Sequence, residues 1–234
     1  MNQKPPYKLV TQQPYCCVPA CLSMILDRRK IKHKSQEEIG YELGLVVPED
    51  KAHFFTKVRT CKKSTTRYGT PAGKKKYSIN NYFSKNKIKL KETYYPSDKI
   101  KDVKKFIIQN LQKGNDLIVC FNYRALYRPK DKESGGLGHI SLIKSIHDDI
   151  ITLIDPSKDA PNIRKIKLEK LIDAMKFHGK KNKGGFWLIQ TKKEKNNSLY
   201  ISQAISFNIK VAFCICKIRC IYQLCNPASF LAFS

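Results

Sequence analysis

Residues 12–26 read QQPYCCVPACLSMIL, and their second half has the pattern of a helix. From Cys17 onward Val18, Cys21, Leu22 and Ile25 recur at helical spacing, which puts one buried stripe on a helix running to about Arg28. Pro19 falls in the first turn, where a missing N–H is tolerated. A thiol at a helix N-terminus beside a histidine is a favoured nucleophile, because both surroundings stabilise the thiolate. Cys16 and Cys17 both stand at such a place, and Pro19 separates them. The first N–H with an intrahelical partner belongs to the fourth helical residue. With Cys17 in the first helical position Pro19 loses no bond, whereas with Cys16 there it removes one, so Cys17 is the better candidate. Just upstream, a side-chain amide of Gln12 or Gln13 could donate to an oxyanion alongside the Cys17 N–H. The alternative is that both are ordinary polar loop residues.

A second segment, residues 138–156, reads GHISLIKSIHDDIITLIDP. The runs His139 to Ile146 and Ile150 to Asp155 flank Asp148 and Asp149 and predict a β-hairpin. With its turn at about 147–149, Ser141 faces Asp155, and His139 shares the face of Ser141 because strands alternate with period two. Asp155 is then a diagonal neighbour of His139, with Cα atoms about 7 to 8 Å apart, close enough for carboxylate and imidazole to bond. That contact would fix the tautomer a general base needs. His139 opens a strand directly after Gly135, Gly136, Leu137 and Gly138, while the other histidines are expected in polar or less ordered surroundings. Asp155, followed by Pro156, can also be read as a turn-initiating residue.

The rest of the chain supplies a scaffold. Ser35 and Glu38 have capping-box spacing for a helix at about Gln36 to Leu45, with Gly44 near its end. Residues 48–95 are Lys-rich and broken by Gly69, Pro71 and Gly73, and read as mostly surface with one short helix near Ile79 to Asn86. Ser97 is expected to cap a third helix through Ile100, Val103, Ile107 and Leu111 until Gly114. Leu117 to Tyr123 reads as a strand, 168–177 as amphipathic, and 186–190 as a last strand. Helices first and a mostly antiparallel sheet afterwards make an α+β domain over residues 1–197.

The 234 residues suit one domain with an extension, and 41% apolar with 27% charged residues is the balance of a protein that folds in water. The charge is +26, which implies weak, salt-sensitive attraction to polyanions. Lysine outnumbers arginine, so no specific nucleic-acid surface is expected. Nine cysteines in a chain of this length do not form the framework of a small secreted domain. The first ten residues carry Pro5 and Pro6 and no signal-peptide core, so a reducing, cytoplasmic location is expected, with export by a non-classical route still open. Residues 198–234 are basic, Cys-rich and apolar, and are not expected to belong to the core. Lys210, Lys217 and Arg219 interrupt any membrane span there, and Cys214, Cys216, Cys220 and Cys225 follow no familiar zinc spacing.

Taken together, QQPYCCVPACLSMIL and the distant GHISLIKSIHDDIITLIDP resemble the papain-like cysteine peptidases of the bacteriocin-leader-processing, or double-glycine, type. These carry an N-terminal Gln, a Cys opening an apolar helix, and a later His strand and Asp-Pro. The chain has Cys16, Cys17 and Val18 where that family usually shows Asp-Cys-Gly. The resemblance implies a papain-like fold with Cys17 as nucleophile, His139 as base, Asp155 as the third residue and Gln12 as oxyanion donor. It implies a peptide or protein substrate and neither cofactor nor metal. An acyltransferase or amidase could use the same residues. The rival from another class is a catalytically silent papain-like binding module, distinguished by whether the thiol reacts.

Overall fold

The computed structural model describes residues 5–62, 68–71, 74–127, 138–157 and 162–192. Its helices are α1 (Cys17–Arg28), α2 (Gln36–Glu42), α3 (Ile79–Lys85), α4 (Val103–Gln112), α5 (Tyr123–Tyr127) and α6 (Leu168–His178). Strands β1 (Val46–Val47) and β2 (Arg59–Thr60) form a short parallel pair. The main sheet holds β3 (Leu90–Pro96), β4 (Asp116–Asn122), β5 (Gly138–His147), β6 (Ile150–Ile154), β7 (Ile163–Lys167) and β8 (Gly185–Thr191). Its order is β3-β8-β4-β5-β6-β7, with every neighbouring pair antiparallel. The α+β class expected from the sequence is the class observed.

Period-two alternation assigns the strand residues to two cores. In β4, Ile118 and Cys120 join α1, α2 and α3, while Leu117, Val119 and Phe121 join α4, α5 and α6. A strand covered on both faces needs apolar residues on both, and β4 is buried along its whole length. In β5, Ile140 and Leu142 face α1, and an irregularity between Ile143 and Ser145 then shifts the phase, so that Ile143 and Ile146 share the second core. The β5–β6 hairpin is tighter than expected: His147 pairs with Ile150, leaving Asp148 and Asp149 as a two-residue loop with Asp148 at φ 51. The bulge compensates for the shorter turn. Leu142 therefore faces Ile154, the last pair of the ladder before Ser141 and Asp155.

The far end of α1 is fixed to the start of β4 by a buried ion cluster. Asp116, with no exposed surface, accepts from Arg28 Nε at 2.7 Å, Arg29 Nε at 2.6 Å and Tyr7 Oη at 2.6 Å. These three donors compensate for burying the carboxylate.

Several boundaries differ from those expected. The capping box of Ser35 and Glu38 is present, but α2 stops at Glu42. The Leu43 N–H closes onto Ile39, and Gly44 takes φ +75 against the Tyr77 ring, where a Cβ would lie 2.5 Å from the ring. The helix expected to start at Ser97 is α4, and it is capped by Asp102, whose side chain accepts from Lys105 N at 2.8 Å, while Ser97 belongs to a separate short 3-10 turn. Strand β3 lies within the stretch read as surface. It is a half-buried edge strand, so its apolar alternation is faint, and Asn80 covers part of its open edge by bonding both N–H and C=O of Glu92. Edge strand β7 and the short α5 were likewise not anticipated. The Gly135–Leu137 loop and the segment 198–234, with its four cysteines, lie outside the described residues.

Candidate active site

The loop before α1 is held by contacts that join the two segments singled out in the sequence. Gln12 N donates to Pro156 O at 2.8 Å, and farther along α1 the Cys21 thiol meets Ile140 O at 3.8 Å. Gln36 clamps the same loop, donating from Nε2 to Thr11 O and accepting from Gln13 N. A turn closed by Cys16 N to Gln13 O, with Tyr15 in the left-handed region at φ 62, delivers the chain into the helix. Cys16 is the N-cap and Cys17 the first helical residue. No side chain caps this end and no acidic residue lies in its first turn, so the positive end of α1 is not offset beside the Cys17 sulfur.

The two adjacent thiols have different surroundings. Cys16 has no exposed surface and packs with Leu45 and Val47; burial, then the neighbouring Cys17 and Glu37, pushes its thiol up to about 12. Cys17 is half-buried and lines an open cleft. Burial also pushes the thiols of Cys21 and Cys120 upward.

His139, near the start of β5, and Asp155, just past the end of β6, meet through Nε2 and Oδ1 at 2.7 Å. Asp155 has no exposed surface. Its Oδ1 also accepts from Ser157 N at 3.0 Å, its Oδ2 accepts from Tyr127 Oη at 3.2 Å, and Arg164 Nε stands 3.6 Å from Oδ2. Burial alone would raise the carboxyl pKa, but the His139 bond and charge, the Ser157 N–H and Arg164 outweigh it and hold the pKa below the usual value. Arg164 lies over the Tyr127 ring at 4.0 Å, so these two supports of Asp155 also brace each other. The rings of Phe121 and Tyr123 stand edge-on to the imidazole with centroids at 5.6 and 5.2 Å.

The Cys17 thiol is the other group that acts on the His139 imidazole. Burial pulls the imidazole pKa down, but the bonds and charges of Asp155 and Cys17 prevail and raise it from 6.5 to about 9. Thus Cys17, His139 and Asp155 come together in that order. Gln12 and Gln13 lie on the adjoining loop, half-buried, with side-chain oxygens that have no hydrogen-bond partner among the described residues; neither lines the cleft.

The cleft beside Cys17 has a volume of about 450 Å³, with Val18, Ile140 and Trp187 among its apolar walls. It also contains a residue the sequence reading passed over. His178 is buried, not in a polar or less ordered setting, and its ring packs on Gly138. Its spacing with Leu168, Leu171 and Met175 along α6 was the available signal. Tyr127, Arg164 and Ser157 gave no comparable signal, because each reaches Asp155 through tertiary packing or a turn. Among the described residues, no group of His, Cys, Asp and Glu could hold a metal ion, and no helix is long and apolar enough to cross a membrane.

Comparison with known proteins places this arrangement in context. A search of curated proteins finds no match. Among solved structures, a protein described as a C39-like peptidase from Bacillus anthracis superimposes with a TM-score of 0.54 at 14% identity, covering 82% of this chain and 98% of its own. A double glycine motif protease from an AMS/PCAT transporter, solved in complex with the leader peptide, gives a TM-score of 0.41 at 15% identity over 82% of this chain and 98% of its own. The family model for the Peptidase_C39 like family matches residues 2–181. That span takes in Cys17, His139 and Asp155 and most of the chain, and this protein belongs to the Peptidase_C39 like family, with the α+β fold of the papain-like cysteine peptidases.

Proposed function

We propose that this protein is a cysteine peptidase in which Cys17 is the nucleophile, His139 the general acid and base, and Asp155 the residue that orients the imidazole. The observation that carries the reading is the His139 ring, bonded to Asp155 through Nε2 at 2.7 Å and electrostatically coupled to Cys17, which opens α1 and lines the cleft. His139 takes the thiol proton and the sulfur attacks the carbonyl carbon of a peptide bond. The positive end of α1 and the Cys17 N–H stabilise the negative charge, with a Gln12 or Gln13 amide as a further donor to the oxyanion. Collapse breaks the C–N bond, and the imidazolium gives its proton to the departing amine, leaving a thioester on Cys17. Water, deprotonated by His139, then releases the acid and restores the thiol. An amine in place of water would make the same site an acyltransferase.

Two measurements test this. Brief iodoacetamide treatment followed by peptide mapping should label Cys17 ahead of Cys16, Cys21 and Cys120, which are buried. A peptide library should be cut by the wild type and left intact by Cys17→Ala. Faster labelling of Cys16, or equal cutting by Cys17→Ala, would remove the assignment.

A further inference from the structure

The cleft beside Cys17 is lined by Lys74, Lys181 and Lys183, and no acidic residue is among its described lining residues. The lysines come from separate stretches of chain: Lys74 precedes the short turn before α3, and the other two belong to the turn that follows α6. Among the described residues neither Lys74 nor Lys181 is held in an ion pair. Lys183 lies over the Tyr94 ring at 4.7 Å and also interacts electrostatically with the half-buried Glu92, which is not among the residues lining the cleft. A concave surface carrying one sign of charge over apolar walls such as Val18, Ile140 and Trp187 focuses that field on whatever enters. A peptide occupying the cleft beside the thiol therefore meets these three lysines.

We infer that the cleft selects peptides carrying an Asp or Glu side chain within about three residues of the bond presented to Cys17, Lys74, Lys181 and Lys183 being the specificity-determining residues. This rests on the peptidase reading for the identity of the bond, but not for the anion site itself. Each partly exposed ion pair contributes modestly, so together they should favour an acidic peptide over its amide counterpart by about fivefold to tenfold.

Because the whole protein is basic, the test needs a charge-matched control. The Cys17→Ala protein is immobilised, a random decapeptide pool is passed over it at physiological salt, and retained peptides are sequenced. The same is done with Lys74→Glu/Lys181→Glu/Lys183→Glu added, and separately with Lys101→Glu/Lys105→Glu/Lys113→Glu, on and beside α4 and away from the cleft lining. Circular dichroism checks that each is folded. Acidic residues should be enriched by the parent and the α4 control and lose that enrichment in the cleft variant. Equal loss in both variants would show diffuse charge only, and no loss in the cleft variant would place the preference elsewhere; either overturns the inference. In parallel, wild-type cleavage of the same pool should show Asp or Glu near the cut. Selective binding without any cleavage would keep the anion site and sink the peptidase reading, and cleavage without acidic preference would do the reverse.

Discussion

His139 Nε2 and Asp155 Oδ1 are 2.7 Å apart across two neighbouring antiparallel strands, at the end of the sheet where β5 begins and β6 has just finished. The diagonal placement depends on register: a two-residue turn alone would shift the pairing by one, and the bulge between Ile143 and Ser145 shifts it back. A one-residue slip would send the carboxylate to the opposite face. The aspartate is itself fixed by Ser157, Tyr127 and Arg164, so the imidazole is oriented by a group with little freedom of its own.

The roles assigned to this pair predict unequal losses. His139→Ala removes the group that moves the proton and should lower kcat/KM by about a hundredfold to ten-thousandfold. Asp155→Asn should be milder, because an amide oxygen can still accept from the imidazole N–H while its charge is gone. Peptide turnover by variants with native circular dichroism decides the order. Full activity in His139→Ala would end the proposed mechanism.

The pH profile should carry the same signature. The imidazolium must be protonated to serve the leaving amine, and its pKa is raised from 6.5 to about 9, so kcat/KM should hold through neutrality and fall as pH rises through about 9. In Asp155→Asn one bond and one negative charge are lost, so this limb should move to lower pH. For stability the sign is the same: a raised folded value contributes fully below the unfolded value of 6.5 and is lost as pH climbs to about 9. Thermal melts of wild type and His139→Ala should converge over that interval. An alkaline limb unmoved by Asp155→Asn would contradict the coupling.

Local pattern carried the helix starting at Cys17, the capping box at Ser35, the hairpin and the His139–Asp155 relationship, because each rests on spacing within a few residues or across one turn. It did not carry β3, whose half-exposed edge position weakens alternation, nor the choice of Asp102 over Ser97 as a cap, since both residue types cap well. The turn and bulge offset each other, so Leu142 pairs with Ile154, in phase with the expected register although the turn was misplaced. His178 was missed because its partner, Gly138, lies 40 residues earlier in the chain and contributes no side chain.

The cluster at Asp116 predicts a stability effect away from the cleft. Asp116→Ala leaves Arg28, 6% exposed, without its carboxylate and should cost about 3–5 kcal/mol in urea melts. Tyr7→Phe removes only a hydrogen bond to a charged group and should cost about 1.5–3 kcal/mol. Because the cluster holds the end of α1 remote from Cys17, the folded fraction of Tyr7→Phe should retain its thiol reactivity. Equal, negligible losses in both variants would show that the cluster is not coupled to folding.

Gly138 offers a test of how His178 positions the start of β5. A Cβ at this position would lie 2.7 Å from Cε1 and 2.9 Å from Nε2 of the His178 ring, closer than carbon can approach either atom. Gly138→Ala must therefore displace the ring or the end of the strand. Overpacking of this kind costs about 1–3 kcal/mol. Displacement of the strand would also carry His139, the next residue, away from Asp155 and Cys17, and turnover should fall further than stability accounts for. In a His178→Ala background the same substitution meets no ring and should be tolerated. The double-mutant cycle, read in both melting and kcat/KM, should give a coupling energy of about 1 kcal/mol or more in each. Additive losses in both measurements would show that His178 and Gly138 act independently, and that the tight contact between them does not set the position of His139.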